Sequence, residues 1–372
     1  MGDARHRAVL VVNPGGSSTK IALYHGDAEV VSEDVRHSRE ELARFKSVGE
    51  ELEWRLATVR KVASERGIDL AHLDAVAGRG GPLAPVPSGT FAVDEPMLAA
   101  IREGRVMVHH PSLLGAPMAR ALADAAGCRA FVVDPVCVDE LEDEARLTGL
   151  PEIPRRALSH ALSVKAAARE AASRLGRPLD ELFLVILHLG SGFTVAASRL
   201  GRQVDANDAS ASGPMAPTRS GSLPTLDFAR LACAGGRGFE ELERRLVGNG
   251  GWMAHLGTDD IREIYARIDT GDARARLVLD ATLLQIAKEA AAMAAVLRGR
   301  IDAVVITGGV ARSERFVKEL SPRIAWLGAP LVLLPGGNEM RALARGALRV
   351  LSGEAEAIEM GPYIEKRKKE AT

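Results

Sequence analysis

An α/β protein of two domains that share one design is the fold this sequence predicts. Apolar runs of strand length alternate along the chain with amphipathic stretches of helix length. An apolar strand, a Gly/Ser-rich turn and a second apolar strand occur twice, about half a chain apart. Two copies fit a duplicated domain, whereas a solenoid needs more repeats. A chain of 372 residues supplies two domains at roughly 100–200 residues each.

Each element follows from its local pattern. Ala8–Val12 is an apolar run that ends in Asn13-Pro14-Gly15-Gly16-Ser17-Ser18-Thr19, and Ile21–Tyr24 returns as a second strand. Ser38–Glu65 reads as one long amphipathic helix, and Asp74–Ala77 as a buried strand. Phe131–Val133 is a strand ending at Asp134-Pro135, and Ser163–Leu175 is helical. Phe183–Leu189, the turn Gly190-Ser191-Gly192 and Phe193–Ser198 repeat the opening design. Helices follow at Asp259–Arg267 and Asp272–Leu297, then strands at Ala303–Ile306 and Leu331–Leu334, then a closing helix over Met340–Leu351. The alternation predicts largely parallel pairing. The mixed-charge end, Glu365–Glu370, reads as a solvated tail.

Composition excludes several classes. With 47% apolar and 26% charged residues and a net charge of -1, the chain has neither a basic bias toward nucleic acid nor a disorder signature. Cys128, Cys137 and Cys233 are too few and scattered for a disulfide framework or a zinc site, which suits a reducing cytosol. Met1–Arg7 lead into only five apolar residues before Asn13, so no secretory signal is expected. The longest apolar candidate for a membrane span, Ala290–Leu297, is short and flanked by Glu289 and Arg298.

The turns point to phosphate. Consecutive backbone N–H groups in a Gly/Ser turn form an anion-binding nest, to which Ser17, Ser18 and Thr19 add hydroxyls and Lys20 a cation. Either turn alone could equally be a tight hairpin. Two of them, one per half, with Thr307-Gly308-Gly309 at a third strand end, fit a nucleotide triphosphate held from both sides. No G-x-x-x-x-G-K-[ST] occurs, and no G-x-G-x-x-G opens a helix after the first strand, so the phosphates are expected on the hairpin turns.

These residues resemble the acetate and butyrate kinases of the acetokinase family, within the superfamily that also holds sugar kinases, actin and heat-shock ATPases. The resemblance rests on Asn13–Lys20, Gly78-Arg79-Gly80-Gly81, Val133-Asp134-Pro135-Val136, Pro154-Arg155-Arg156 with His160, His188–Gly192, Thr218-Arg219-Ser220-Gly221, Thr307-Gly308-Gly309 and Asn338-Glu339, in order from residue 8 to about 352. Asp134–Glu142 and Leu150–Arg156 look most like the butyrate branch. The resemblance implies two duplicated actin-like, ribonuclease H-like domains with an active-site cleft between them. Its domains are residues 1–155, the acid side, and 156–337, the nucleotide side. A closing helix and tail, 338–372, would pack back on the first. It also implies a cytoplasmic homodimer that moves the γ-phosphoryl of ATP reversibly to a short-chain carboxylate, giving an acyl phosphate and ADP with Mg²⁺, and involves neither nucleic acid nor membrane.

A carboxylic acid is ionised at neutral pH and needs no general base, so the site has to bring two anions together. Arginine suits that task, which points to Arg79 and Arg219. The resemblance adds further roles. Arg79 also engages the substrate carboxylate, Asp134 orients an arginine and metal waters, and His160 bonds the transferring phosphoryl. Phosphates fall to Asn13, Ser17, Thr19, Lys20, His188, Gly190, Ser191, Gly192, Gly308 and Gly309. Glu339, with Asn13, holds Mg²⁺ through water. Gly81, His110, Ser159 and Pro214 line the acid pocket.

On acid size, acetate kinases carry a valine where this chain has Gly81 and a phenylalanine where it has Ser159. Less bulk there predicts a four- or five-carbon acid, butyrate or a branched analogue. Leu113, the segment Asn207–Gly213 and Thr218 depart from the butyrate pattern. The rivals are an acetate or propionate kinase and an actin-like ATPase switch, which has no evident use for Arg79, Arg219 and His160. A sugar kinase would need an aspartate base.

Overall fold

The structure is a computed structural model that describes residues 7–370 apart from 46, 211 and 237. Residues 1–6, read above for a signal, and Ala211 of the departing segment lie outside the described residues. The chain divides into two compact units, Met1–Asp139 together with Asn338–Thr372, and Glu140–Gly337.

The first unit is built on six strands: β1 (Ala8–Pro14), β2 (Ser18–His25), β3 (Ala28–Arg36), β4 (Ala75–Arg79), β5 (Thr90–Ala92) and β6 (Arg129–Val133). Their order is β3-β2-β1-β4-β6-β5. β1, β4 and β6 run parallel, while β2, β3 and β5 pair antiparallel to their neighbours. Every residue of β1 and β4 is buried, as expected of strands covered on both faces. Helix Gly115–Ala126 approaches very closely, because a Cβ on Gly78 would lie 2.1 Å from the Gly115 carbonyl oxygen. Helix Glu339–Ser352 buries Leu343, Ala344 and Ala347, and its Gly346 leaves room for Val133.

The second unit carries β7 (Phe183–Leu189), β8 (Phe193–Arg199), β9 (Arg202–Ala206), β10 (Ala303–Gly308) and β11 (Leu331–Pro335), ordered β11-β10-β7-β8-β9. The plan of β3-β2-β1-β4-β6 recurs here: an antiparallel meander of three strands, then two strands parallel to the first. Helix Ala273–Val296, capped by Asp272 on the Ala275 N–H, packs Val278, Leu279, Leu283 and Ile286 into a core with Leu187, Val195 and Ile306. Fully buried Trp252 joins that core and donates its indole N–H to Thr282 Oγ1 at 2.9 Å. A second core sets Val164, Ala167, Ala168 and Ala171 of helix Ala161–Leu175 with Leu184, Ile186 and Val305.

Four expectations need correction. Pairing is mixed rather than largely parallel, because the hairpin strands of both sheets are antiparallel. The helix expected over Ser38–Glu65 is a short turn at Arg39–Leu42, a 3-10 turn at Val48–Glu51 and a helix only from Leu52. Ser47 and Gly49 are poor helix interiors and break the run. The segment Glu140–Arg155 belongs with the second unit: Glu142 N–H donates to the Val204 carbonyl, and Glu140 makes a buried ion pair with Lys165 at 2.5 Å. Finally, the charged end is a helix, Gly361–Glu370, in which Glu365, Lys366, Lys368 and Lys369 are solvated as expected while one face docks. Ile364 is buried, and Arg367 donates to the carbonyls of Leu83, Arg105 and Val106.

Candidate active site

In the first unit the candidate residues gather at the carboxyl ends of the parallel strands. Register puts Val12 opposite Gly78 and Arg79 opposite Val133, so Asn13, Arg79 and Asp134 stand at adjoining strand ends. Arg79 is buried and its Nη1 lies 2.8 Å from Glu339 Oε1; Asn13 Nδ2 donates to Glu339 Oε2 at 3.1 Å. Glu339 opens the closing helix, where a carboxylate also suits the helix dipole. Asp134 is fully buried, holds a positive φ of 37°, and accepts the Gly89 N–H at 2.8 Å. A left-handed aspartate is a strained position of the kind that collects at functional sites.

The β1–β2 turn is held from within. Ser17 and Lys20 are exposed, but Thr19 is fully buried. Its hydroxyl bonds Arg55 Nη1 at 2.9 Å and His37 Nε2 at 2.8 Å, so that hydroxyl anchors the turn. Arg55 lay inside the amphipathic stretch, and sequence reasoning did not single it out. Its pairing with Glu51, one turn earlier, was the only available signal.

His110 is exposed, and its ring accepts the Ser112 N–H, capping the turn Pro111–Leu114. The room attributed to Gly81 is a second point of difference. A Cβ there would meet the Cα, Cγ and Cδ2 of Leu113, each at 2.7 Å. Leu113, a departure from the family pattern, therefore occupies the space that Gly81 vacates. A cavity of about 10 Å³ remains beside them, lined by Gly80, Gly81, Leu83, Met97, Leu113 and Met360 among others.

In the second unit, His160 Nδ1 bonds Thr194 Oγ1 at 2.8 Å, and its ring stacks on His188 with centroids 4.5 Å apart. A Cβ on Gly190 would sit 3.2 Å from His188 Nε2, which brings His160, His188 and the turn Gly190-Ser191-Gly192 together. Thr218 donates its N–H and its hydroxyl to the Ser191 carbonyl, giving this departing residue a role in tying the turn down. Arg219 lies over Gly192, whose added Cβ would be 3.3 Å from Arg219 Cγ. Burial pulls its guanidinium below the ordinary value, with Asp208 opposing. Its hydrogen bonds to Ala209 O and Ser210 Oγ are both 3.5 Å long, and its Nε has no partner among the described residues.

Thr307 stands opposite His188, so the ends of β7 and β10 adjoin. Gly308, at φ 98°, is pressed against Leu189, where a Cβ would be 2.3 Å from its carbonyl oxygen. Gly309 faces open space. Ser159 is buried and accepts from Gln203 Nε2 at 2.9 Å, and Pro214 is buried in the loop before Met215.

The model of the acetokinase family matches residues 152–330. A probable butyrate kinase 2 of Caldanaerobacter subterraneus subsp. tengcongensis is 46% identical over 346 residues, covering 93% of this chain and 97% of that protein. Butyrate kinase 2 of Clostridium acetobutylicum is 39% identical over 350 residues, with 94% and 98% covered. This chain belongs to the acetokinase family. Its fold is that of the family: the acetate kinase of Porphyromonas gingivalis superposes with a TM-score of 0.76 at 19% identity, covering 93% of this chain and all of that one.

A divalent metal is the cofactor to test against an acetokinase site. Among the described residues no group of three or more His, Cys, Asp or Glu side chains could hold one. Mg²⁺ does not need such a cage, since it keeps several waters and takes one or two carboxylates with the substrate phosphates. Glu339 with Asn13 fits that mode. Among the described residues no helix is long and apolar enough to cross a membrane.

Proposed function

We propose that this acetokinase-family chain transfers the γ-phosphoryl of ATP directly and reversibly to a short-chain carboxylate, butyrate or a branched analogue, giving an acyl phosphate and ADP. One observation carries the reading at the level of chemistry. Arg219 is a half-buried cation whose two hydrogen bonds are long, with Asp208 the acidic group that acts on it. Drawing such a charge partly out of water carries a cost that an arriving anion offsets, and a transferring phosphoryl group is such an anion.

The roles divide as follows. Arg79 holds the acid carboxylate and Arg219 the equatorial phosphoryl oxygens, each through a planar fork. His160, oriented by Thr194, donates to the phosphoryl group, and His188 and the Gly190–Gly192 turn take the neighbouring phosphates. The Asn13–Lys20 turn and Gly308-Gly309 complete the nucleotide contacts. Asp134 orients rather than abstracts, because an acid already ionised needs no base. Bound Mg²⁺, held through water by Glu339 and Asn13, would neutralise phosphate charge.

The preference for a four-carbon acid rests on the names of the relatives, since Leu113 refills the space at Gly81. The alternative is acetate or propionate with the same chemistry. A cytoplasmic homodimer is the assembly we infer; the second unit exposes Leu147, Leu150, Ile153, Leu226 and Phe239, apolar surface that a second copy could cover.

The test is acyl phosphate formation trapped as hydroxamate across acetate, propionate, butyrate, isobutyrate and isovalerate. Expected is activity greatest on four- and five-carbon acids. Acetate preference would keep the mechanism and overturn the acid, and ATP hydrolysis without any acyl phosphate would favour an ATPase switch.

A further inference from the structure

Against the β1–β2 turn lies the one arginine with no exposed surface among the described residues, and no catalytic role above accounts for it. Arg55 projects from helix Leu52–Glu65 with no exposed surface. Its Nη2 donates to the Gly15 carbonyl at 3.0 Å, and its Nη1 donates to the Ser18 carbonyl at 3.1 Å and to Thr19 Oγ1 at 2.9 Å. Nε donates to Glu51 Oε2 at 2.7 Å, so the cation is neutralised by a carboxylate that is itself buried. The Ser17 carbonyl accepts the His37 N–H at 2.9 Å, and the Ser18 carbonyl also accepts the Gly15 N–H at 2.8 Å.

The oxygens of Gly15, Ser17 and Ser18 are thus each held by an internal donor. A carbonyl oxygen carries partial negative charge and would repel a phosphate, whereas amide N–H groups attract one. Because Glu51 cancels the charge of Arg55, what the guanidinium contributes is direction: it fixes which edge of each peptide faces inward. Gly16 supports this division. A Cβ there would meet nothing within 4 Å, and its φ is not in the left-handed region, so the fold itself does not require glycine. Close approach of a ligand to the backbone would.

We propose that Arg55 is a positioning residue for phosphoryl binding, clamping the carbonyls of Gly15 and Ser18 inward so that the turn presents N–H groups to the terminal phosphates of the nucleotide. The proposal rests on the reading of this turn as a phosphate site. Arg55 touches neither nucleotide nor acid.

The test compares binding of a non-hydrolysable ATP analogue with binding of AMP by calorimetry, in the parent chain, Arg55→Lys and Thr19→Val. Lysine keeps the charge for Glu51 but cannot fork to two carbonyls. Expected for Arg55→Lys is roughly tenfold weaker binding of the triphosphate analogue, the loss of about one oriented hydrogen bond, with AMP affinity unchanged. Thr19→Val leaves the Arg55–Glu51 pair intact and should show the same selective loss, smaller in size; it decides the matter if Arg55→Lys does not fold. Equal weakening of both ligands, or of neither, would overturn the proposal. A parent chain that binds the analogue yet forms no acyl phosphate would instead sink the proposed reaction and leave this comparison intact.

Discussion

Truncating Leu113 is the sharpest test of how this chain selects its acid. The side chain is 4% exposed and fills the position that a Cβ on Gly81 would take, 2.7 Å from Leu113 Cα, Cγ and Cδ2. Leu113→Ala removes three carbons next to a cavity of about 10 Å³, too small to accept a further acyl carbon as it stands. Two effects follow, with separate readouts. Stability should fall by about 2–5 kcal/mol, as for other buried leucine truncations, which for a unit of this size lowers Tm by roughly 2–4 °C per kcal/mol. Acid preference should move toward longer chains, since each methylene in an apolar pocket is worth about 1–3 kcal/mol. The ratio of kcat/KM for hexanoate over butyrate is therefore expected to rise at least about tenfold. The assay is hydroxamate formation across the series from acetate to hexanoate, with a thermal melt of each variant. A lower Tm with an unchanged acid profile would refute the reasoning, because it would make Leu113 core packing that the acid never meets.

Other outcomes follow from single distances. Arg219→Met should cost kcat/KM by more than about a hundredfold, in the range seen on removing a group that stabilises transition-state charge, while leaving the melt unchanged or raised because a partly desolvated cation is gone; unchanged kinetics would remove Arg219 from the site. Lys165→Met should destabilise by roughly 3–5 kcal/mol because it strands Glu140 in the interior, and adding Glu140→Gln should recover part of that loss in a denaturant titration. Gly308→Ala should be poorly folded, as φ 98° and a 2.3 Å contact with Leu189 O both oppose it; a normal melt would contradict the backbone described. Burial and the Arg55 charge hold His37 below its ordinary value of 6.5. The unfolded chain then binds the extra proton first, so this contribution to stability is present above pH 6.5 and is lost as pH falls through the folded value. His37→Phe should flatten the acid limb of Tm against pH, and an unaltered limb would exclude His37 as its source.

What the sequence revealed depended on the range of the pattern. Phe183–Leu189 is apolar but for His188 and closes on a Gly/Ser turn, which reads as a buried strand, and the structure has it at those bounds. The closing helix and the long helix after Asp272 were equally plain, the first amphipathic and ended by Gly353, the second opened by its Asp272 cap. β3 escaped notice because Ala28–Arg36 alternates charge and small residues on an exposed edge strand, where polar side chains discourage further pairing and blur the strand signal. The tail is solvated at Glu365, Lys366, Lys368 and Lys369 as its charge implies, but its docking was hidden for the opposite reason. Glu365–Glu370 is charged enough to look solvated, yet Arg367 spends its charge on three carbonyls far away in sequence. The same holds at the site. Motif residues such as Arg79 and Glu339 were legible, but their 2.8 Å pairing joins residues far apart in the chain. Arg55 had no motif at all, because its partners are backbone oxygens, which leave no mark on residue choice.

The glycines show how fold and function can be separated where motif alone cannot. Gly78, Gly115 and Gly308 each face backbone within 2.1–2.3 Å of an added Cβ, so packing by itself demands them. Gly16 and Gly309 face nothing within 4 Å, and neither has a positive φ. Alanine at those two positions would fit the structure and, by lowering the conformational entropy of the unfolded chain, would stabilise the fold by about 0.4–1 kcal/mol. A residue that the fold does not need, beside carbonyls of Gly15, Ser17 and Ser18 that are held by internal donors, is accounted for by what approaches from outside. Gly16→Ala and Gly309→Ala should therefore melt at or above the parent temperature and bind the ATP analogue more weakly. Tighter folding combined with intact nucleotide binding would show that these two glycines are incidental to the phosphate site.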